Sequence, residues 1–187
     1  MDSLLQLDRE LFTFINSVAS SPSIDWLFKL LRNAITWIPL YAFVLFYVIK
    51  YQRKYAWQFI LFTLVTFAIT DFVSASVLKQ LFARLRPCAD PTLVVRDLVG
   101  CGGKYGMPSS HASNHFGLAA FWYFTIKMMS GRKWWWLWLW AFIICYAQVY
   151  VGKHFPGDVI VGAFFGSCVG VLIALLFRTQ ILKMKLK

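Results

Sequence analysis

The stretch Tyr55–Leu78, YAWQFILFTLVTFAITDFVSASVL, holds one charged residue, Asp71. A helix that crosses a bilayer needs about 20 mostly apolar residues, so this stretch is long enough to span. Similar runs lie at about Asn33–Ile49, Trp134–Val151 and Val159–Phe177. A further run, Ala112–Ile126, is short unless its helix begins earlier, near Pro108. The pattern predicts an all-α integral membrane bundle of about five transmembrane helices. A sixth span from Ile24–Leu31 is disfavoured by Asp25, Lys29 and Arg32. Before the spans, Leu4, Leu7, Leu11, Phe12 and Ile15 recur at helical spacing while Asp8, Arg9 and Glu10 stay polar. That segment, within residues 1–32, reads as an amphipathic helix lying at the membrane interface.

The composition agrees. Of 187 residues, 59% are hydrophobic and 14% charged, with a mean hydropathy of +0.61. Soluble domains are nearer half apolar and a quarter charged, which excludes a soluble enzyme, a disordered chain and a disulfide-rich mini-protein. The net charge of +11 sits in short clusters between apolar runs, the pattern of membrane topology and not of nucleic-acid binding. Lys50, Arg53 and Lys54 fall in one turn, Lys127, Arg132 and Lys133 in another, and Arg178, Lys183, Lys185 and Lys187 in the tail. With five alternating spans all lie on one side, which the positive-inside rule makes cytoplasmic. The Arg84–Met107 loop, the Gly152–Gly157 turn and the acidic N-terminal segment with Asp2 then face outward. The opening MDSLLQLDRE lacks a basic n-region and a cleavage site, so no signal peptide is expected. Cys88 and Cys101 lie in the long outer loop, where an oxidising exterior permits a bridge; two free thiols are the alternative. The run Trp134–Trp136 reads as an interface anchor.

Three polar clusters interrupt the apolar chain, all on the expected outer face. The first runs Lys79-Gln-Leu-Phe-Ala-Arg84-Leu-Arg86-Pro87. Lys79 and Arg86 are two helical turns apart and share a face if the helix continues to Pro87. Such a pair suits a phosphate, or else snorkels to lipid headgroups. The second, Pro108-Ser109-Ser110-His111, opens the third span. A capped helix start offers free N–H groups to phosphate, and His111 can exchange a proton near neutral pH, with His115 one turn on. The third is His154-Phe-Pro156-Gly157-Asp158, in which an Asp four residues on can fix the tautomer of a nucleophilic imidazole. A capped helix and a local helix-start bond are the plain readings of the last two. The acidic residues are scattered and only three His exist, so no metal set and no cofactor is expected. Asp71, inside a span, reads as a structural bond to a neighbouring helix.

In order and spacing these clusters resemble the type 2 phosphatidic acid phosphatase family, whose site is related to that of the vanadium haloperoxidases. The family carries Lys-x6-Arg-Pro, then Pro-Ser-Gly-His, then Ser-Arg-x5-His-x3-Asp. Here Lys79-x6-Arg86-Pro87 and His154-x3-Asp158 are intact, and Pro108-Ser109-Ser110-His111 has Ser in the Gly place. The resemblance covers about residues 71–170 of a single domain, 1–187. It implies that His154 attacks phosphorus, oriented by Asp158, and that His111 protonates the leaving oxygen. Lys79, Arg86, Ser109 and Ser110 would hold the phosphoryl oxygens, without a metal.

One position departs from the pattern. The family's Ser-Arg falls at Ala147-Gln148, which removes a positive charge. Either Lys153, beside His154, supplies the missing charge, with Gln148 keeping a hydrogen-bond donor, or catalysis is impaired. The resemblance therefore implies a membrane phosphatase acting on a lipid phosphate or pyrophosphate at the outer face of a bacterial inner membrane. Undecaprenyl pyrophosphate, phosphatidylglycerol phosphate, phosphatidate and lipid A phosphate are the substrates it brings into view. The alternatives are a lipid phosphotransferase and a catalytically impaired lipid-phosphate binder. A transporter, prompted by Asp71, is opposed by the lack of repeated, broken spans. The expected partners are the bilayer and a lipid substrate; the oligomeric state stays open.

Overall fold

The computed structural model describes residues 2–185. Lys187 lies outside these residues, and the side chains of Asp2, Lys183 and Lys185 are likewise not described. The described residues form α1 (Asp2–Thr13), α2 (Asp25–Leu31), α3 (Ile38–Tyr51), α4 (Ala56–Phe72), α5 (Lys79–Phe82), α6 (Ser110–Ser130), α7 (Trp136–Tyr150) and α8 (Pro156–Lys185). A π-helical stretch, Val73–Leu78, joins α4 to α5 without a break. Helices therefore occupy all five expected spans. Three runs are long and apolar enough to cross a membrane: Ala34–Tyr51, Arg53–Phe82 and Pro156–Leu182. Helix α7 is apolar but shorter, with 15 residues. Helix α2, of only 7 residues, adds no sixth span.

Helix α6 is the axis of the bundle. It begins where the short third span required, with Ser109 as its N-cap, and most of its residues are buried. Its low net apolarity has a simple cause: neighbouring helices, not lipid, surround it. Outward-facing Leu61, Leu64 and Phe67 on α4, and Ile160, Phe164 and Leu172 on α8, are exposed, as lipid-facing positions are. Of the tryptophan run, Trp135 and Trp136 are exposed at the bundle end while Trp134 is buried.

Helix α8 lies unusually close to α6, and the sequence explains it. Gly162, Gly166 and Gly170 form one stripe at four-residue spacing, the small-residue pattern that lets helix backbones approach. A Cβ at Gly166 would sit 2.1 Å from the Ser113 carbonyl oxygen, and one at Gly170 2.3 Å from that of Gly117. This stripe escaped the sequence reading, which took α8 only as an apolar run.

The first polar cluster corrects an expectation. The helix does not continue to Pro87, because Ala83 adopts a left-handed conformation (φ 45°) directly after α5. The chain then extends, with Leu85 forming an isolated antiparallel bridge to Tyr105. Arg84 and Arg86 thus lie on one side of an extended segment rather than on a helical face shared with Lys79. The loop between is closed by a Cys88–Cys101 disulfide, Cα–Cα 5.5 Å, which decides between the two thiol readings.

The N-terminal segment does more than rest on a surface. Leu4, Leu7 and Leu11 of α1 are exposed, but Phe12 is buried against Phe155 with ring centroids 5.3 Å apart. Asn16, fully buried, donates to the carbonyls of Arg96 and Tyr150. These contacts dock the segment onto the loop that carries Arg96 and the turn after α7.

Candidate active site

The starts of α6 and α8 meet. The Ser109 amide donates to the Asp158 carbonyl at 2.9 Å, so the second and third polar clusters become one surface. Ser109 is fully buried and its hydroxyl caps Ala112 N at 3.4 Å.

Around Asp158 the polar contacts are dense. His154 Nδ1 lies 3.5 Å from Asp158 Oδ2, in ion-pair range but longer than a hydrogen bond, and it has no hydrogen-bond partner among the described residues. That same oxygen accepts the Phe155 amide at 3.1 Å, while Oδ1 accepts Arg84 at 3.0 Å. Arg84 also pairs with Asp8 of α1, whose other oxygen accepts the Gly157 amide at 2.7 Å. Asp158 has no exposed surface and His154 only 2%. Burial pushes the His154 imidazole down to about 4; Asp158 opposes the shift, and Arg86 and Lys79 add to it. The ring is therefore neutral at physiological pH, the form a nucleophile requires. Gly106 has no room for a side chain, since a Cβ there would lie 2.6 Å from Asp158 Oδ2.

The cations converge on this pair. Lys79 Nζ donates to Ser110 Oγ at 2.8 Å, joining α5 to the start of α6. Arg86 Nε donates to the Tyr105 carbonyl at 3.1 Å, leaving the rest of its guanidinium fork free of protein partners among the described residues. Electrostatically, Lys79 and Arg86 act on each other and on His154, and Asp158 acts on both. His111 lies within electrostatic reach of Lys79 and His154. Lys79, Arg86, His111, His154 and Asp158 are thus linked electrostatically at this end of the bundle.

His115 does not join them as a free group. Its ring stacks 6.2 Å from His111, and its nitrogens face Tyr41 Oη at 3.2 Å and the His111 carbonyl at 2.7 Å. Asp71 accepts from Asn114 at 2.9 Å, the inter-helix bond its position suggested. Gln148 is fully buried, with neither amide atom hydrogen-bonded. Lys153 is buried as well and donates to the Gly100 carbonyl in the disulfide loop. An apolar cleft between α3 and α4, lined by Val44, Phe59, Leu64, Phe67 and Trp122, opens beside Tyr41. Among the described residues no group of three or more His, Cys, Asp or Glu is placed to hold a metal ion.

The sequence reading missed Arg84 and Asp8 as parts of the site. Arg84 stood in the first cluster, but nothing local showed that it would reach Asp158. Asp8 belongs to an amphipathic pattern whose polar residues normally face water. Arg32 was noted only as an obstacle to a sixth span, yet its charge reaches Arg86, His111 and Lys153.

Comparison with known proteins places these residues in a broader setting. The PAP2 superfamily model matches residues 55–182. A lipid A 4'-phosphatase of Bacteroides thetaiotaomicron is 34% identical over 92% of this chain and 77% of its own length. An undecaprenyl-diphosphatase of Sulfolobus acidocaldarius is 30% identical over 87% and 75%. The crystal structure of Aquifex aeolicus LpxE superposes with a TM-score of 0.63 at 27% identity, covering 89% of this chain and 94% of that one.

Proposed function

This chain belongs to the PAP2 superfamily, and on that premise we propose that it is a membrane phosphatase that removes a phosphoryl group from a lipid through a phosphohistidine on His154. The observation that carries the proposal is the buried His154 imidazole, with the Asp158 carboxylate 3.5 Å from its Nδ1 and with Lys79 and Arg86 acting on it electrostatically. Asp158 Oδ2 stands 3.5 Å from Nδ1 and becomes its acceptor as the imidazole gains charge in the reaction, which leaves the Nε2 lone pair for phosphorus. The P–O bond to the lipid breaks as the N–P bond forms. Burial and the neighbouring cations keep His111 neutral before substrate binds, and the negative charge of the bound phosphate offsets them, so His111 gives the departing oxygen the proton it takes up with the substrate. His111 then accepts a proton from water as that water attacks phosphorus, releasing inorganic phosphate and free His154. Lys79, Arg86, Ser109 and Ser110 hold the phosphoryl oxygens, and preorganised donors of this kind supply much of the rate enhancement.

Lipid A carrying a 4'-phosphate is the favoured substrate, on the strength of the Bacteroides relative, and undecaprenyl pyrophosphate is the second. Lipid chains fit the apolar cleft between α3 and α4. The disulfide in the loop bearing Arg86 supports an oxidising, extracytoplasmic site on a bacterial inner membrane. The test is phosphate release from purified lipid A, undecaprenyl pyrophosphate and phosphatidylglycerol phosphate by the full chain in detergent. Release from at least one lipid, abolished by His154→Ala, is the expected result. Equal release by wild type and His154→Ala would overturn the mechanism. Lipid-phosphate binding without turnover would favour the impaired binder that Gln148 brings into view.

A further inference from the structure

Gln148 leaves the site one cation short of its family's pattern, yet a cation comes to the site from elsewhere in the fold. Arg32 follows α2, in the N-terminal segment outside the matched stretch 55–182. Contacts on either side of it fix its place. One turn before it, Phe28 stacks on Tyr150 with centroids 3.8 Å apart, and Asp25 accepts the Tyr150 hydroxyl at 2.8 Å. After it, Trp37 Nε1 donates to the Leu31 carbonyl at 2.8 Å, and Tyr41 reaches His115. The turn at Arg32 therefore runs from the end of α7, where Gln148 sits, to the start of α6, where His111 sits.

The guanidinium acts electrostatically on Arg86, His111 and Lys153, and it has no hydrogen-bond partner of its own among the described residues. Its Nε is buried and unbonded, and no other side-chain hydrogen bond of Arg32 exists among the described residues. Lys153 is differently placed, because its ammonium is engaged by the Gly100 carbonyl. Arg32, Arg86 and Lys153 repel one another, and burial together with Arg86 holds the Arg32 guanidinium below the usual arginine range. The nearby acids do not neutralise the group. Asp158 is already paired with Arg84, and Asp97 acts on both Arg32 and Lys153. Half-buried cations with unused donors and a surplus of positive charge match a phosphate dianion, and a guanidinium can hold two of its oxygens at once.

We propose that Arg32 is a third cationic phosphate-binding residue of this site, holding a phosphoryl oxygen beside Lys79 and Arg86 in place of the charge that Gln148 lacks. The inference rests on the phosphoryl-transfer reading above but concerns the anion pocket itself, so a phosphate analogue tests it without turnover. Orthovanadate affinity is measured on the full chain in detergent micelles for wild type, Arg32→Ala, Arg32→Lys, and Arg32→Ala combined with Gln148→Arg. Losing a hydrogen bond to a charged group costs a factor of about ten to a hundred, so Arg32→Ala is expected to weaken vanadate binding at least tenfold. Arg32→Lys keeps most of the affinity, and Gln148→Arg recovers part of what Arg32→Ala lost. A merely structural Arg32 would not be replaced by a cation on α7. If Arg32→Ala fails to fold, Arg32→Gln, which keeps the stem and an amide, carries the same comparison. Vanadate binding within twofold of wild type after removal of Arg32, or no vanadate binding by wild type at all, overturns the proposal. Arg32-dependent vanadate binding in a chain that hydrolyses no lipid leaves it standing and removes the phosphatase reading instead.

Discussion

The Ser109 amide donates to the Asp158 carbonyl at 2.9 Å, tying the start of α6 directly to the start of α8. Because His111 follows Ser109 by two positions and His154 precedes Asp158 by four, this one bond fixes how the two imidazoles approach each other. The glycine stripe of α8 permits the contact, since a Cβ at Gly162 would lie 2.6 Å from the Ser109 carbonyl oxygen.

Asp158→Asn tests the orientation of the nucleophile. The amide keeps the shape of the carboxyl group but no longer fixes the His154 tautomer. Loss of an orienting carboxylate of this kind lowers kcat by about 10⁴ in serine proteases. A fall of at least a hundredfold in phosphate release is expected here, with little change in KM for the lipid.

The Asp8–Arg84–Asp158 chain of charges predicts that α1 supports the site from outside the matched region. Arg84→Ala leaves the fully buried Asp158 carboxylate without its cation, and breaking a buried pair in this way costs about 3–5 kcal/mol. The expected result is a large drop in melting temperature together with loss of activity. Asp8→Asn keeps an acceptor for Gly157 and is the milder change. Equal melting temperatures for wild type and Arg84→Ala would show that the ion pair carries no stability.

Gly166→Ala places a methyl group 2.1 Å from the Ser113 carbonyl oxygen, so α8 must move away from α6. Overpacking costs about 1–3 kcal/mol, and the displacement also shifts His154 relative to His111. Thermal unfolding in detergent is expected to drop, and activity is expected to fall further than stability alone explains.

The buried His154 makes stability depend on pH. Its folded value is about 4 against the ordinary 6.5, so between these values the unfolded chain binds a proton that the folded chain does not. Stability from this group is therefore complete above pH 6.5 and is lost as the pH falls towards 4, by up to about 3 kcal/mol. Melting curves of wild type and His154→Gln across pH 7 to 4 check this. The variant is expected to lose less stability on acidification, and parallel curves would sink the assignment.

The Cys88–Cys101 bridge closes the loop that presents Arg86 to the site. A crosslink over a loop of this size contributes about 3 kcal/mol by restricting the unfolded chain. Reduction, or Cys88→Ser, is expected to lower the melting temperature and raise KM.

The amino-acid order alone determined that this is a helical membrane protein, because runs of apolar residues have nowhere else to be buried. It also brought forward Lys79, Arg86, His111, His154 and Asp158 as candidates, because their motifs each lie within a turn or a helix end, where spacing is visible in a chain and a family resemblance can be read. The groups that complete the site follow a different logic. Asp8 and Arg84 reach it from other segments, and no periodicity records contacts between residues 74 positions apart, as Arg84 and Asp158 are, or 76, as Arg84 and Asp8 are. Where the helix running through α4 and α5 ends was likewise decided by the left-handed turn at Ala83, which brings Leu85 beside Tyr105. Tertiary packing settled these points because a buried charge takes whichever partner the fold delivers, and delivery depends on how closely α8 can approach α6.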